Sequence, residues 1–457
     1  DVTRRSVVEF LGAKSSGLDR IDEKVVALVQ RVFPMQFARS LDRAQIVMCS
    51  PITYSRAGSL MIRFPLFLML MLFGWVTMVQ IHPAYPEPYF PMDDAQVLER
   101  LSFKGSDPVA RELAILRTNV RQHPRNLESA AKLAARYIDQ GRSEGDPRFI
   151  GQAQAVLSPW WNEATPPPET LLLRATIRQN AHEFAKALAD LDQVLTIEPT
   201  NAQAWLTKAA ILQVQARYDE ARRACQRLAR LAAAHVLLGC LSDIAAVTGQ
   251  SKKARELLQP MLADQKLIGR ERIWITTILA ETSARIGAIR DAEQYFAEAF
   301  TVGMKDQYLL SAYADFLLDQ GRHRDVVSLL RAETRTDGLL LRLALAEQAL
   351  DIPSSKHHIT ELAARFAASR DRGTSVHVRE EARFTLALLK DAKQALPLAQ
   401  ANWNVQREPA DARILLESAL AAENRVAAQP VIGWLKTNHV EDFHLQQLAQ
   451  QIQEAPF

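Results

Sequence analysis

The sequence predicts an all-α fold: a right-handed superhelical solenoid of about nine antiparallel helix pairs, preceded by an N-terminal hydrophobic helix. Three observations support this prediction. Small or β-branched residues recur about every 34 positions, glycines fall five positions before three of them, and no long segment alternates polar with apolar residues. A fixed period of this length is the signature of stacked helical repeats.

The recurring series, called the ladder below, has nine members. They are Ala153, Ala187, Ala221, Ala254, Ala292, Val326, Thr360, Ala395 and Ala428. A small side chain at each ladder position allows the two helices of a pair to cross closely. Gly249, Gly287 and Gly321 precede three ladder residues, and glycine adopts the left-handed conformation without a Cβ clash. We therefore expect each glycine to end a first helix and turn the chain back.

This pattern resembles the tetratricopeptide repeat. The matching features are Trp at the fourth position (Trp205), small residues at the eighth, Gly at the fifteenth, Ala at the twentieth and Pro at the thirty-second (Pro199). The likeness covers roughly residues 126–440 and is weak in the first unit and the last three. The stretches 136–149, 157–161, 314–322 and 379–389 also resemble an uncharacterised bacterial group of membrane-anchored or secreted tetratricopeptide proteins. The resemblance implies a non-catalytic scaffold that binds proteins.

A helical repeat array buries its apolar faces only when its ends are capped. Residues 107–122 begin with Asp107 and Pro108, a favourable helix start, and suit an N-terminal cap. Residues 441–454 carry apolar residues on one helix face and glutamines on the other, and suit a C-terminal cap. The predicted repeat domain therefore spans 107–455.

The N-terminal part of the chain differs in kind. Residues 64–81 contain no charged residue and are long enough to cross a bilayer as a helix. Arg56 and Arg63 precede this stretch and acidic residues follow it, so the positive-inside rule places the repeat domain outside the cytoplasm. We expect 61–82 to be a single-pass inner-membrane anchor of a bacterium, or a cleaved signal that releases the domain into the periplasm.

Two further segments flank the hydrophobic stretch. Residues 83–106 begin with four prolines in 82–91 and are expected to form a linker between membrane and repeats. Residues 1–60 carry 9 Lys or Arg against 6 Asp or Glu and lack the repeat phase. We expect them to be a cytoplasmic extension, or non-native sequence upstream of a translation start at Met61.

Composition narrows the function. The chain has 55 Lys and Arg against 52 Asp and Glu, and the two signs are well mixed. Such mixing disfavours phosphate-backbone binding, because nucleic-acid binding needs a concentrated basic surface. A helical-repeat RNA-binding protein stays open as an alternative, since some RNA-reading arrays have a similar period.

Chemistry-bearing motifs are few. Phosphate-binding glycine loops and protease or hydrolase motifs are absent from the sequence, so no cofactor or enzymatic activity is expected. His358 with Glu361, and His377 with Glu380, each share a helix face, and a metal-dependent enzyme built on them is the second alternative. Cys225 and Cys240 lie on helices expected to pack together; they form either a disulfide or two small buried apolar residues.

The first helix of each unit lines the concave face of a tetratricopeptide superhelix, and the resemblance carries the groove positions onto this chain. They are Gln179, Asn180, Gln203, Leu206, Gln213, Trp274, Glu281, Arg285, Tyr308, Ser311 and Asp315. These residues include amides, aromatic rings and both charge signs, without a cluster of Lys and Arg. An extended peptide or a helix of an envelope protein is the expected partner. The sequence does not identify that partner or the oligomeric state.

Overall fold

A computed structural model of the chain describes residues 107–373 and 377–456. The predicted N-terminal extension 1–60, the hydrophobic segment 61–82 and the linker 83–106 lie outside the described residues. Within the described ranges, no helix has the length and apolar character needed to span a bilayer.

The described residues form 21 α-helices. They are α1 Pro108–Gln122, α2 Leu127–Glu144, α3 Pro147–Val156, α4 Ser158–Trp161, α5 Pro168–Asn180, α6 Phe184–Ile197, α7 Ala202–Val214, α8 Tyr218–Arg227, α9 Ala234–Ala246, α10 Ser251–Leu258, α11 Gly269–Arg285, α12 Ile289–Thr301, α13 Gln307–Asp319, α14 His323–Leu330, α15 Asp337–Ala349, α16 Ser354–Asp371, α17 Val378–Ala387, α18 Ala392–Val405, α19 Pro409–Ala421, α20 Arg425–Thr437 and α21 Phe443–Glu454. Short 3₁₀ helices, Leu228–Arg230 and Gln259–Ala263, follow α8 and α10.

These helices form nine antiparallel pairs in the described ranges, which confirms the predicted helical-repeat architecture. Units 1 to 9 are α2–α3, α5–α6, α7–α8, α9–α10, α11–α12, α13–α14, α15–α16, α17–α18 and α19–α20. Within each unit the first helix packs against the second, and from unit 1 to unit 8 each first helix also packs against that of the next unit.

The ladder residues explain the close packing within units. All nine lie on the second helix of a unit, and all except Thr360 are at most 1% exposed. The prediction is wrong at Thr360, which is exposed and donates its hydroxyl to the Lys356 carbonyl. Helix α16 begins early, at Ser354, so the ladder register shifts and Ser355 is the small buried residue near its start.

Each unit has one left-handed residue between its two helices. Gly249, Gly287 and Gly321 have φ of 71°, 77° and 68°, as their spacing predicts. Non-glycine residues hold the same conformation in five other units: His182, Ala216, Asp351, Lys390 and Glu423. The turn geometry is therefore imposed by the packing of the helices, and glycine only makes it less costly.

Both predicted caps are present. Asp107 accepts a hydrogen bond from the Val109 N–H at the start of α1, and Asp442 does the same for Leu445 at the start of α21. The main hydrophobic core runs from Ala209 in unit 3 to Ile452 in α21, while units 1 and 2 have smaller clusters. The C-terminal cap is thus continuous with the core of seven units.

Candidate functional site

The first helices of units 5 to 9 and α21 line a cavity of about 200 Å³ that is open to solvent. About half of its lining residues are charged or titratable: Glu281, Arg285, Asp315, Asp319, Arg342, Arg379, Glu380, Arg383, Arg413, Glu417, Asp442 and His444. In four units the charged residues are four positions apart, which places both on one helix face. The inward face of the array therefore carries rows of charged side chains between apolar ones.

Ion pairs cross the cavity, and two of them join units that are not neighbours in sequence. Asp315 of unit 6 lies 2.5 Å from Arg342 of unit 7 and 2.6 Å from Arg383 of unit 8. Asp319 of unit 6 lies 2.7 Å from Arg413 of unit 9. These pairs hold opposite sides of the inward face together.

The two arginines paired with Asp315 favour the charged state of its carboxyl group. Burial alone would raise the pKa of its carboxyl, but the guanidinium groups of Arg342 and Arg383 outweigh burial and hold that pKa far below its usual range. Burial alone would lower the pKa of Arg413, but the carboxylates of Glu417 and Asp319 outweigh burial and raise it. The ion pairs of Asp315 and Arg413 therefore stay charged over the whole physiological pH range.

The other end of the inward face is acidic. Burial, opposed by Arg285 and assisted by the neighbouring Asp243 carboxylate, raises the pKa of Glu281 to about 7. The Tyr308 hydroxyl donates to the Glu281 carboxylate at 3.0 Å, although the Tyr308 side chain remains 63% exposed. Burial also raises the pKa of Asp243, which accepts a hydrogen bond from Gln213 at 2.9 Å. Glu281 at this end therefore titrates near neutral pH.

The C-terminal units contact units 2 to 4 directly. The Arg407 N–H donates to the Val214 carbonyl at 2.8 Å, and the Trp434 indole N–H donates to the Tyr218 hydroxyl at 3.2 Å. Trp434 is held in place by Trp403, with ring centroids 5.5 Å apart in an edge-to-face arrangement. The array thus folds back on itself.

The predicted groove residues divide into three groups. Glu281, Arg285 and Asp315 line the cavity, and Tyr308 and Gln213 are hydrogen-bonded to the acidic end. The remaining predicted residues are half-buried or exposed on first helices outside the cavity wall: Gln179, Asn180, Gln203, Leu206, Trp274 and Ser311. Leu206 and Trp274 pack against the main core, so their rings and methyl groups also stabilise the fold.

The cavity has residues that the sequence analysis did not identify. They are Asp319, Arg342, Arg379, Glu380, Arg383, Arg413, Glu417, Asp442 and His444, all from units 6 to 9 or α21. The expected lack of clustered arginines is therefore wrong, because five arginines line the wall. Four of them pair with carboxylates within 4 Å, and Arg285 is the exception within the described ranges. The repeat period indicates two of these residues, because Arg379 and Arg413 are 34 residues apart, as Glu281 and Asp315 are.

The residues of the metal-site alternative have other partners. His358 Nδ1 lies 2.6 Å from Glu347, and Glu361 pairs with Arg365 at 2.5 Å. Glu380 faces the cavity beside Arg379. Across the described residues, no group of three or more His, Cys, Asp and Glu side chains has metal-binding geometry.

Cys225 of α8 and Cys240 of α9 are joined by a disulfide, with Cα atoms 5.8 Å apart. Both residues are buried, at 0% and 5% exposure. The bond connects the second helix of unit 3 to the first helix of unit 4 and so reinforces one joint of the array. Its occurrence in the cell remains a prediction.

Comparison with known proteins agrees with the repeat architecture. Residues 180–238 match a family model described as tetratricopeptide repeat, whereas no curated protein matches the chain. Among solved structures, the chain is similar to one chain of the APC/C hetero-tetramer Cut9–Hcn1, with 16% identity, a TM-score of 0.35, and coverage of 68% of this chain and 52% of that chain. This protein therefore spans about half the length of that relative. The matched segment covers the second helix of unit 2, all of unit 3 and the start of unit 4, and the same helix pairing continues on both sides. Residues 180–238 are therefore a tetratricopeptide-repeat segment within a longer array of helix pairs.

Proposed function

We propose that this protein is a non-catalytic scaffold that binds another protein through the concave face of its repeat array. The observation that carries the proposal is the polar inward surface built by first helices, on which Tyr308 is 63% exposed beside Glu281. A large exposed aromatic ring with a hydrogen-bonding tip is a typical anchor for a bound peptide. An extended peptide or a helix with polar groups of both signs suits this surface.

The six carboxylates among the lining residues weigh against the RNA-binding alternative. Carboxylates facing the groove repel a phosphate backbone, and five arginines in the same cavity compensate them without leaving a basic excess. The same mixed charge suits a peptide that carries both acidic and basic side chains.

In-cell photo-cross-linking tests the binding face. A benzoylphenylalanine placed at position 308 reports on the concave face, and the matched control is the same group at Ile197, which is 58% exposed near the end of a second helix. We expect position 308 to yield a discrete cross-linked protein, identifiable by mass spectrometry, and position 197 to yield none. Adducts from 197 alone would refute binding through the concave face.

We further propose that the repeat domain lies in the periplasm of a two-membrane bacterium, anchored by 61–82 or released by its cleavage. The support is the charge-free stretch 64–81 with Arg56 and Arg63 before it, and the Cys225–Cys240 disulfide, which an oxidising compartment allows. Alkaline phosphatase and green fluorescent protein fused in parallel after Phe457 of the full chain test this. Activity of the phosphatase fusion alone is expected, whereas fluorescence alone would reverse the orientation.

A further inference from the structure

The first turn of α13 presents a tyrosine ring to solvent on the inward face of the array. Tyr308 is 63% exposed, and its hydroxyl donates to the Glu281 carboxylate at 3.0 Å. The hydrogen bond holds the ring beside a carboxylate while most of its surface stays open. A ring that is already oriented loses little conformational freedom when a partner binds to it.

The carboxyl groups next to this ring receive hydrogen bonds from neutral groups only. In the part of the chain that the structure describes, Glu281 accepts from the Tyr308 hydroxyl and Asp243 accepts from the Gln213 amide. Burial raises the pKa of both carboxyl groups, and the Arg285 guanidinium opposes burial without cancelling it. One guanidinium therefore does not compensate two carboxyl groups, and a second cation would lower both pKa values and stabilise both charges.

The rest of the inward face differs, because its carboxylates are already paired. Asp315 lies 2.5 Å from Arg342 and 2.6 Å from Arg383, and Asp319 lies 2.7 Å from Arg413. Pairing is thus satisfied towards the C-terminal units and incomplete beside Tyr308. Charge complementarity selects a positive group at units 4 to 6 and gives it little to gain farther along.

We propose that the inward face of units 4 to 6 binds a basic segment of the protein partner, with one Arg or Lys side chain resting on the Tyr308 ring beside the Glu281 and Asp243 carboxylates. This inference rests on the proposed concave-face binding and adds the chemistry of the partner. A cation over a tyrosine ring is attracted by the negative face of the ring, and carboxylates within reach strengthen the attraction. An acidic or uncharged segment gains neither interaction.

An organic cation suits this face better than a metal ion. Across the described residues, no group of three or more His, Cys, Asp and Glu side chains has metal-binding geometry. A metal ion gains little from the apolar surface of a ring, whereas the guanidinium plane or the alkyl stem of a basic side chain packs against it.

Fluorine NMR of the full chain measures cation binding without a known partner. The reporter is 4-fluorophenylalanine at position 308, and the probe is acetyl-arginine amide at pH 8, above the pKa of about 7 of Glu281. The matched control probe is acetyl-citrulline amide, which has nearly the same shape and no charge. We expect the arginine probe to shift the fluorine resonance and to bind at least about fivefold more tightly than the citrulline probe. Equal binding of the two probes, or no response to either, would overturn the proposal.

Two changes assign the binding to the carboxylate and to the ring. Glu281→Gln should weaken the arginine probe about fivefold, whereas Glu163→Gln, at an exposed carboxylate outside this face, should leave it unchanged. Replacing the reporter by 3,4,5-trifluorophenylalanine keeps the ring and withdraws its electrons, so binding should weaken about threefold. Binding that is insensitive to both changes would place the probe elsewhere and overturn the proposal.

Cross-linking at position 308 separates the chemistry of the partner from the proposed function. Once mass spectrometry identifies the cross-linked segment, replacing its Arg and Lys residues by Gln should abolish the adduct, and replacing its acidic residues should not. An adduct that survives the loss of every basic residue would overturn the basic-segment proposal and leave concave-face binding intact. Absence of any adduct counts against concave-face binding itself, and the arginine probe then decides the cation site independently.

Discussion

Replacing Glu281 by Gln should stabilise the folded protein at neutral and alkaline pH. Burial raises the pKa of Glu281 from 4.5 to about 7, and the carboxylates of Asp243 and Glu408 act in the same direction. Arg285 and the Tyr308 hydroxyl oppose them without cancelling the shift. A neutral Gln keeps an oxygen acceptor for Tyr308 and removes the cost of a buried negative charge.

The sign follows from proton linkage. A carboxyl with a higher pKa in the folded chain holds its proton longer there, so its contribution to stability is largest below about pH 4.5 and falls as the pH rises to about 7. The shift from 4.5 to about 7 corresponds to at most about 3.4 kcal/mol. Water in the cavity screens part of this, so we expect about 1–2 kcal/mol.

Guanidinium denaturation of wild type and Glu281→Gln at pH 5, 6, 7 and 8 measures the effect. Asp243 and Glu408 also have raised pKa values and contribute to the pH dependence of both proteins, so the difference between the two curves isolates Glu281. That difference should grow from pH 5 to pH 8 in favour of the variant. Glu163→Gln, at an exposed position, should give a difference near zero at every pH. A variant less stable than wild type at pH 8 would refute the reasoning.

Two further predictions concern stability. Replacing Cys225 and Cys240 together by Ala should lower the free energy of unfolding by about 3 kcal/mol, because the disulfide closes a loop of 15 residues. Denaturation of the wild type with and without reductant measures the same loss, and identical denaturation curves would contradict the prediction. Replacing Asp190 by Asn should cost about 3 kcal/mol, because Asp190 is 2% exposed and its loss strands the buried Arg174. The control is Asp219→Asn, at a carboxylate that is 81% exposed, which should cost less than about 1 kcal/mol. Thermal denaturation measures both variants, and equal losses of stability would refute the role of burial.

The repeat units could be predicted because each one obeys local rules. A small residue must lie where two helices cross, so the ladder marks a buried residue of the second helix in eight of nine units. At Thr360 the rule fails because α16 begins early, and helix boundaries depend on packing that a periodic pattern does not contain. The turns at His182 and Lys390 were missed for a related reason, since neighbouring helices impose a left-handed conformation there that these residues do not favour.

The candidate site could be predicted only where the repeat phase is clear. Glu281 and Asp315 lie at equivalent positions of two central units that clearly resemble the tetratricopeptide repeat, and both line the cavity. Arg383 and Arg413 belong to units with weak family likeness, so the groove positions could not be carried onto them. The contact between Trp434 and Tyr218 could not be predicted from the sequence, because the curvature that brings these residues together accumulates over seven units and no single unit encodes it.

Charge pairing inside the array constrains what a partner can gain. A peptide that enters must either leave Asp315 paired with Arg342 and Arg383 and bind beside it, or supply its own carboxylate in place of Asp315. The second route exchanges one ion pair for another and strands Asp315, so it yields little net free energy. Binding energy must then come from groups outside these ion pairs, above all the exposed Tyr308 ring and Arg285, which lines the cavity. Specificity therefore rests on partners that engage both groups.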